Sequence, residues 1–178
     1  MTRSLVCSAL LGLSLAASAA RAQAPRARPA QAPAPACSRG EQSSLSEVAC
    51  ELAHALDELP GRAMVVATPV RSDAEIDRPA ELGARVARVV AGALGEQAQA
   101  VAAPAGLTRA RALAREAGTL VYLDVALVRG ELRVVADVYP VALSFWDRVR
   151  NPQPSSTAHA FASRRLDPEL RTFLPPVP

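Results

Sequence analysis

The chain has 178 residues, of which half belong to the hydrophobic set and only 3% are aromatic, and this composition suits one domain with or without a tail. Its positive charge comes entirely from arginine, since the chain contains no lysine. Residues 1–36 hold four of the 20 arginines and none of the 17 acids, so residues 37–178 carry 16 arginines against 17 acids and a net charge of −1. No basic face is left to neutralise phosphates, which excludes a nucleic-acid-binding function.

The first 22 residues are typical of a secretory signal peptide. Arg3 supplies the positive end, an apolar stretch runs from Leu5 to Leu15, and Ala20-Arg21-Ala22 offers a cleavage motif. The stretch is shorter than the roughly 20 residues that a transmembrane helix needs. We therefore expect cleavage near Ala22, export to the periplasm or the exterior, and a mature chain without a transmembrane segment.

The segment that follows the signal predicts a linker. Residues 23–36 contain only Ala, Pro, Arg and Gln, so they have nothing to bury and favour a semi-stiff, extended spacer. Ser44 and Glu47 then form a capping box ahead of an apolar-periodic run, which predicts a helix over about 45–59.

Two cysteines remain after cleavage, Cys37 and Cys50. Export makes a disulfide the default for such a pair. Cys50 falls on the polar side of the predicted helix, whereas a free cysteine prefers burial. The spacing is not that of a redox-active C-x-x-C motif, so we predict a structural Cys37–Cys50 disulfide.

Strands and helices alternate in the next part of the chain. An apolar strand is predicted over 63–70, a helix from Pro79 to Leu94, a strand over 98–103 and a helix over 109–117. This order predicts parallel strands joined by right-handed crossovers.

Residues 119–139 predict a β-hairpin around Arg129-Gly130. A two-residue turn places Val128 opposite Glu131 and Tyr122 opposite Asp137. One face of the hairpin is then wholly apolar, and the other carries Tyr122, Asp124, Glu131, Arg133, Asp137 and Tyr139. We therefore predict an α/β two-layer sandwich over 37–141: a small mixed sheet with a β-α-β-α-β-β core and helices on one face, preceded by an N-terminal helix.

Most of the aromatic residues lie near the C-terminus. Residues 142–178, rich in proline, are interpreted as an arm that wraps the domain and buries its rings, Trp146 included; the alternative is a docking segment for another domain. The candidate interaction residues on the polar face and the arm are Tyr122, Tyr139, Phe145, Trp146 and Phe161.

Two resemblances follow from these segments. GELRVVADVYPV, FWDRVRNPQP, AHAFASRRLD and RTFLPPVP, within 120–178, resemble the N-terminal region of secreted bacterial proteins that continue into FG-GAP/VCBS repeats. The chain shows no such repeat, so it is interpreted as a truncated or split relative. ELGARVARVVAGALG and RARALAREAGTLVYLDVALV, with GELRVVADVYPV, resemble the α/β domains of TolB amino-terminal regions and of curli-secretion or flagellar-assembly lipoproteins. Neither resemblance implies a catalytic residue.

Motifs of known enzymes and of metal or cofactor sites are missing from the sequence. The alternating acids of 73–77 begin like a calcium loop but lack its glycine and its final glutamate. His159, Asp137 and either Ser144 or Ser163 could be combined into a Ser–His–Asp hydrolase triad. The spacing of these residues matches no known hydrolase motif. We expect no catalysis, no metal and no cofactor.

Two functional hypotheses remain. The first is an exported, non-catalytic interaction or envelope-assembly module whose polar sheet face and aromatic residues contact a protein or another envelope component. The alternative is a small-molecule-binding domain, or less favourably a hydrolase, that uses the loops 69–79 and 103–108 at the carboxyl ends of the parallel strands.

Overall fold

The structure, a computed structural model, describes residues 43–57, 59–141, 144–150 and 155–175. The described chain is an α/β sandwich built on one mixed sheet, which confirms the predicted fold class. Its helices are α1 (Ser44–Ala55), α2 (Pro79–Leu94), α3 (Leu107–Leu113), α4 (Phe145–Arg150) and α5 (Pro168–Arg171). Its strands are β1 (Ala63–Ala67), β2 (Arg71–Ser72), β3 (Ala98–Ala100), β4 (Thr119–Val128), β5 (Glu131–Pro140) and β6 (Ala158–Arg165). The predicted signal peptide and linker lie outside the described residues.

The sheet has a parallel half and an antiparallel half. Its strands are ordered β3-β1-β4-β5-β6, and the short β2 pairs with β4 beyond the end of β1. Strands β3, β1, β2 and β4 are parallel, as the predicted crossovers require, whereas β5 and β6 are antiparallel to their neighbours. The antiparallel half carries the face described below.

The hairpin of β4 and β5 has the predicted register. Val128 pairs with Glu131 and Tyr122 with Asp137. Both turn residues have positive φ, 53° for Arg129 and 74° for Gly130, as a tight two-residue hairpin turn requires. The alternation of the two strands outweighs the unfavourable choice of arginine at this position.

The main core lies between the sheet and helices α1 and α2. Odd-numbered residues of β4 and even-numbered residues of β5 face these helices and are buried, as period-two alternation dictates. The helices contribute Leu45, Val48, Leu52, Leu82, Val86 and Val90, and α5 adds Leu170.

Helix α3 covers part of the opposite face, which differs from the predicted placement of all helices on one side. Leu120 of β4 and Val66 of β1 point away from the main core and are fully buried against Ala110 and Ala114. The signal was present in the sequence, because Leu120 is a large apolar residue on the side of β4 that also carries Tyr122 and Asp124. Small alanines let a helix of one to two turns lie close to the strands.

The predicted C-terminal arm contributes a strand to the sheet. Residues 158–165 form β6 and pair with 131–138 of β5, with Val135 opposite Phe161 and Ala136 opposite Ala160. Ala160 and Ala162 are buried beneath the helices, whereas Phe161 faces away from them. Arg164 ties the strand to α1, with its Nε 2.8 Å from Glu47 Oε2 and its Nη1 2.9 Å from Glu51 Oε2.

Asp167 joins the beginnings of two helices. Its Oδ1 accepts a hydrogen bond from the Leu170 N–H of α5 at 2.8 Å, and its Oδ2 accepts one from the Ser44 N–H of α1 at 2.7 Å. Burial acts to raise the pKa of this carboxyl group, but the hydrogen bonds outweigh burial and hold the pKa below its ordinary value. The N-cap of α1 is Ser43 rather than the predicted Ser44, since Ser43 Oγ accepts from the Ser46 N–H at 3.3 Å. Glu47 pairs with Arg164 and closes no capping box.

Candidate functional site

Helices α1 and α2 pack on one face of the sheet, and α3 covers part of the other face. The part of this second face that α3 leaves uncovered is here called the open face. It is formed by side chains of β4, β5 and β6 that are exposed or half-buried: Asp124, Ala126, Val128, Glu131, Arg133, Val135, Asp137, His159, Phe161 and Ser163. The predicted polar hairpin face is therefore accessible, and β6 extends it by one strand.

A shallow groove of about 440 Å³ crosses the open face. Its floor consists of the short aliphatic side chains Ala126, Val128 and Val135. Residues 71–73 and Asp124 form one side, while Arg133 and Phe161 form the other. The groove thus spans β2 to β6, and with strands about 4.8 Å apart it is about as wide as one extended segment or one helix.

The side of the groove formed by 71–73 is fixed by hydrogen bonds to the hairpin. Asp73 Oδ2 accepts from the Arg129 N–H at 2.8 Å, and the Asp73 N–H donates to Leu127 O at 3.3 Å. Arg71 pairs with Asp124, whose Oδ1 also accepts from Thr68 Oγ1 at 3.4 Å. The groove is therefore built on rigid elements rather than on a free loop.

Charges on the open face are paired within the face. Arg133 pairs with Glu131 at 3.3 Å, and His159 Nδ1 lies 2.8 Å from Asp137 Oδ1. Exposed pairs of this kind contribute only about 0–1 kcal/mol each to stability. Their effect is to surround the groove with polar groups of both signs, which fits a surface that contacts another protein better than one that attracts a polyanion.

Among the described residues, Phe161 is the one large apolar side chain on the wall of this groove. It is 54% exposed although it lies on a strand whose neighbouring residues are buried. Burying a phenylalanine side chain is worth about 1.5–3 kcal/mol, so this ring gains that free energy only when something covers it. An exposed aromatic ring with a polar rim is the usual composition of an interface anchor.

The other predicted interaction residues lie elsewhere. Tyr122 and Tyr139 lie on the same face of the sheet but at the end that α3 covers. The Tyr122 hydroxyl donates to Ala105 O at 3.3 Å, and the Arg111 guanidinium lies 4.8 Å from the centre of the Tyr139 ring. Burial, and secondarily the nearby Asp124 carboxylate, raises the pKa of Tyr122, so its hydroxyl stays a donor. Both tyrosines therefore serve packing.

Trp146 lies on α4 and is 68% exposed, so the prediction that the arm buries it is wrong. Phe173, in contrast, is buried in the main core. The side chain of Phe145 lies outside the described residues. The arm therefore divides: α5 and Phe173 fold back onto the domain, whereas the loop between β5 and β6 presents Trp146 to solvent.

Two of the residues considered for a hydrolase, Asp137 and His159, form a pair. Asp137 and His159 are hydrogen bonded, but Ser163 donates to Glu131 at 3.4 Å and not to the imidazole. A serine nucleophile needs a hydrogen bond to its base. In the ranges that the structure describes, no three His, Cys, Asp or Glu side chains are grouped so as to hold a metal ion.

The open-face groove does not include 103–108, one of the two loops proposed for a small ligand. Pro104 Cγ and Thr68 O would lie 3.1 and 3.3 Å from a Cβ placed on Gly83, so the loop that follows β3 is packed against the start of α2. The Ala105 N–H donates to Ala67 O at 3.0 Å, which fastens this loop to the end of β1. Residues 71–73 line the open-face groove instead.

The predicted disulfide involves one residue outside the described ranges, Cys37. Cys50 is half-buried on α1. The pairing of these two cysteines stays a prediction. None of the helices in the described ranges combines the length and the apolar character needed to cross a membrane.

Comparison with known proteins finds a distant likeness in structure only. No protein-family profile and no curated protein matches the sequence. The fold is similar to that of the LpoB C-terminal domain from Escherichia coli, with 9% identity, a TM-score of 0.47, and coverage of 68% of this chain and 98% of that domain. The LpoB C-terminal domain from Salmonella enterica gives 7% identity, a TM-score of 0.39, and coverage of 68% and 96%. The resemblances to FG-GAP/VCBS and TolB-type proteins stay predictions.

Proposed function

We propose that this chain is an exported, non-catalytic interaction module that binds another protein of the cell envelope through the open face. The observation that carries the proposal is Phe161, half-exposed on the wall of a shallow groove whose floor is aliphatic and whose rim is charged. Export is supported by the N-terminal pattern of residues 1–22.

The chemistry of the face favours a folded or extended protein segment as the partner. The groove is open and shallow, so it would leave most of a small molecule in water, whereas ligand sites usually enclose most of their ligand. A protein segment instead would cover Phe161, Val135 and Val128 together and reach the rim pairs of Arg71 and Arg133. The rim provides donors and acceptors on both sides for its backbone.

Site-directed photo-crosslinking in cells tests the proposal. A photoreactive amino acid replaces Arg133, which is exposed beside the groove, and in a matched chain it replaces Arg88, which is exposed on α2 at the opposite side of the sheet. We expect a discrete heterologous adduct from position 133 and none from position 88. Equal labelling at both positions, or no adduct at position 133 in envelope fractions, would overturn the proposal.

A second substitution identifies the anchor. Phe161→Ala in the chain labelled at position 133 should lower the yield of the adduct about tenfold or more, since truncation of a buried aromatic anchor commonly costs over 1.4 kcal/mol of binding. Val149→Ala is the matched control, because Val149 is a 60% exposed apolar residue on α4, outside the groove. An adduct that survives Phe161→Ala unchanged would move the binding site away from the groove.

A further inference from the structure

The end of the sheet where β4 begins and β5 ends is flanked by α3 and α4. At this end Thr119 pairs with Pro140, and the Val141 N–H donates to Gly118 O at 2.8 Å. The chain enters Gly118 from α3 and the 3₁₀ turn Ala114–Glu116, and α4 begins four residues after Val141. The end of α3 and the beginning of α4 are therefore tied to neighbouring positions.

These two helices carry most of the exposed apolar side chains of the described chain. Four large apolar side chains are exposed in the described ranges, and three of them are Leu113, Trp146 and Val149, at 41%, 68% and 60%. The fourth, Phe161, lies on the wall of the open-face groove. Trp146 and Val149 are three residues apart, so they share one side of α4. Exposed apolar side chains concentrated in this way indicate an interaction surface.

The charge of this end differs from that of the rest of the domain. Residues 101–118 and 141–157 hold five arginines and two acids, a net charge of +3, whereas the rest of 37–178 holds 11 arginines and 15 acids, a net charge of −4. The side chains of Arg109, Arg115 and Arg150 are exposed. The net charge of −1 therefore conceals a small basic end, which corrects the expectation that no basic face is left.

We propose that this end of the domain binds the anionic phospholipid surface of a membrane. The surface concerned, here called the basic end, combines exposed apolar and arginine side chains: Arg109, Leu113, Arg115, Trp146, Val149 and Arg150. Tryptophan is enriched at the headgroup level of a bilayer, and anionic headgroups attract arginine. Helices of seven and six residues are too short to reach across a bilayer, so α3 and α4 contact its surface.

A lipid surface fits both parts of this pattern. A nucleic acid or a soluble polyphosphate would pair with the arginines but would leave Trp146 and Val149 in water. A neutral apolar partner would cover these two side chains but would gain nothing from the arginines around them. The inference does not rest on the proposed function, because the basic end and the open-face groove have no residue in common.

Fluorescence of the mature chain mixed with lipid vesicles tests the proposal, because Trp146 is the single tryptophan of the sequence. Vesicles of equal parts phosphatidylglycerol and phosphatidylcholine should shift its emission to the blue and protect it from quenching by acrylamide. Vesicles of phosphatidylcholine alone should bind about tenfold or more weakly, and added salt should weaken binding to the anionic vesicles. An emission that no vesicle changes, or that soluble polyphosphate shifts equally, would overturn the proposal.

Paired arginine variants, followed by cosedimentation with the anionic vesicles, test the charged part of the surface. Arg109→Gln combined with Arg115→Gln should weaken binding about tenfold or more, because each arginine near an anionic bilayer adds to the attraction. Arg88→Gln combined with Arg171→Gln is the matched control, since it removes the same charge from exposed positions on α2 and α5. Equal losses from the two pairs would show that net charge alone acts and would overturn the assignment to the basic end.

Trp146→Ala tests the apolar part of the surface in the same cosedimentation assay. It should weaken binding about tenfold, because interfacial binding scales with the apolar area that enters the bilayer. Phe161→Ala removes an exposed aromatic ring outside the basic end and should bind vesicles like the native chain. Native binding by Trp146→Ala would overturn the proposal. Loss of the heterologous adduct at position 133 with vesicle binding intact would count against the proposed function alone.

Discussion

Asp167 offers the most direct test of how the two ends of the described chain are held together. Asp167→Ala removes at once the acceptor for the Ser44 N–H at the start of α1 and for the Leu170 N–H in the first turn of α5. Loss of one N-cap interaction costs about 1 kcal/mol, so two such losses give about 2 kcal/mol. For a domain of this size each kcal/mol corresponds to roughly 4 °C in Tm, and we expect a decrease of about 8 °C.

Two further variants separate capping from the loss of a charge. Asp167→Asn keeps one side-chain oxygen and should lose about half as much stability, about 1 kcal/mol. Asp77→Ala removes an exposed aspartate whose side chain has no described hydrogen bond, and its free energy of unfolding should change by less than about 0.5 kcal/mol. Urea unfolding followed by circular dichroism measures all three differences.

The same interaction sets a dependence on pH. Hydrogen bonds hold the pKa of Asp167 in the folded chain below its ordinary value of 3.8. The carboxylate therefore stabilises the fold fully above that ordinary pKa, and its contribution disappears as the pH falls through the lower folded pKa. The difference between the native chain and Asp167→Ala should stay constant from pH 7 to pH 5 and shrink below about pH 4. A native-like Asp167→Ala, or a loss as large for Asp77→Ala, would refute this account of the two helix starts.

Three further predictions follow from burial, close packing and export. Gly83→Ala should destabilise the fold by about 1 kcal/mol in thermal unfolding, because its Cβ would lie 3.1 Å from Pro104 Cγ and 3.3 Å from the Thr68 carbonyl oxygen. Gly92→Ala, with open space around its Cβ, should instead stabilise α2 by about 0.5–1 kcal/mol, and a stabilising Gly83→Ala would contradict the packed loop. Because the Trp146 ring is 68% exposed, Trp146→Ala should change the free energy of unfolding by less than about 1 kcal/mol. The tryptophan fluorescence of the native chain should have its maximum near that of free tryptophan and should be readily quenched by iodide. A blue-shifted emission that iodide does not quench would contradict the exposure of the ring. Intact mass before and after reduction should show the Cys37–Cys50 disulfide, whose loop contributes roughly 3 kcal/mol, and two free thiols in envelope material would exclude it.

Local patterns in the sequence determined much of the architecture. Alternation in 119–139, with one two-residue turn, was enough to predict the hairpin register, because a slip of one residue would move every apolar side chain to the solvent face. Pro79 and Asp167-Pro168 marked the beginnings of two helices, since proline is favoured in the first turn of a helix and aspartate at its N-cap.

Contacts between distant segments decided the rest. Buried and exposed residues alternate in 158–163, but the sequence signal is weak because the buried residues are alanines. The segment is recognisable as a strand only from its pairing with β5 in the folded chain. The groove likewise combines Arg71, Asp124 and Phe161, which no sequence spacing relates. Phe161, one of the five predicted interaction residues, lines that groove, whereas α3 covers two others, Tyr122 and Tyr139. Which side of a strand is polar is a local property, but whether that side meets water depends on which helix the whole fold places above it.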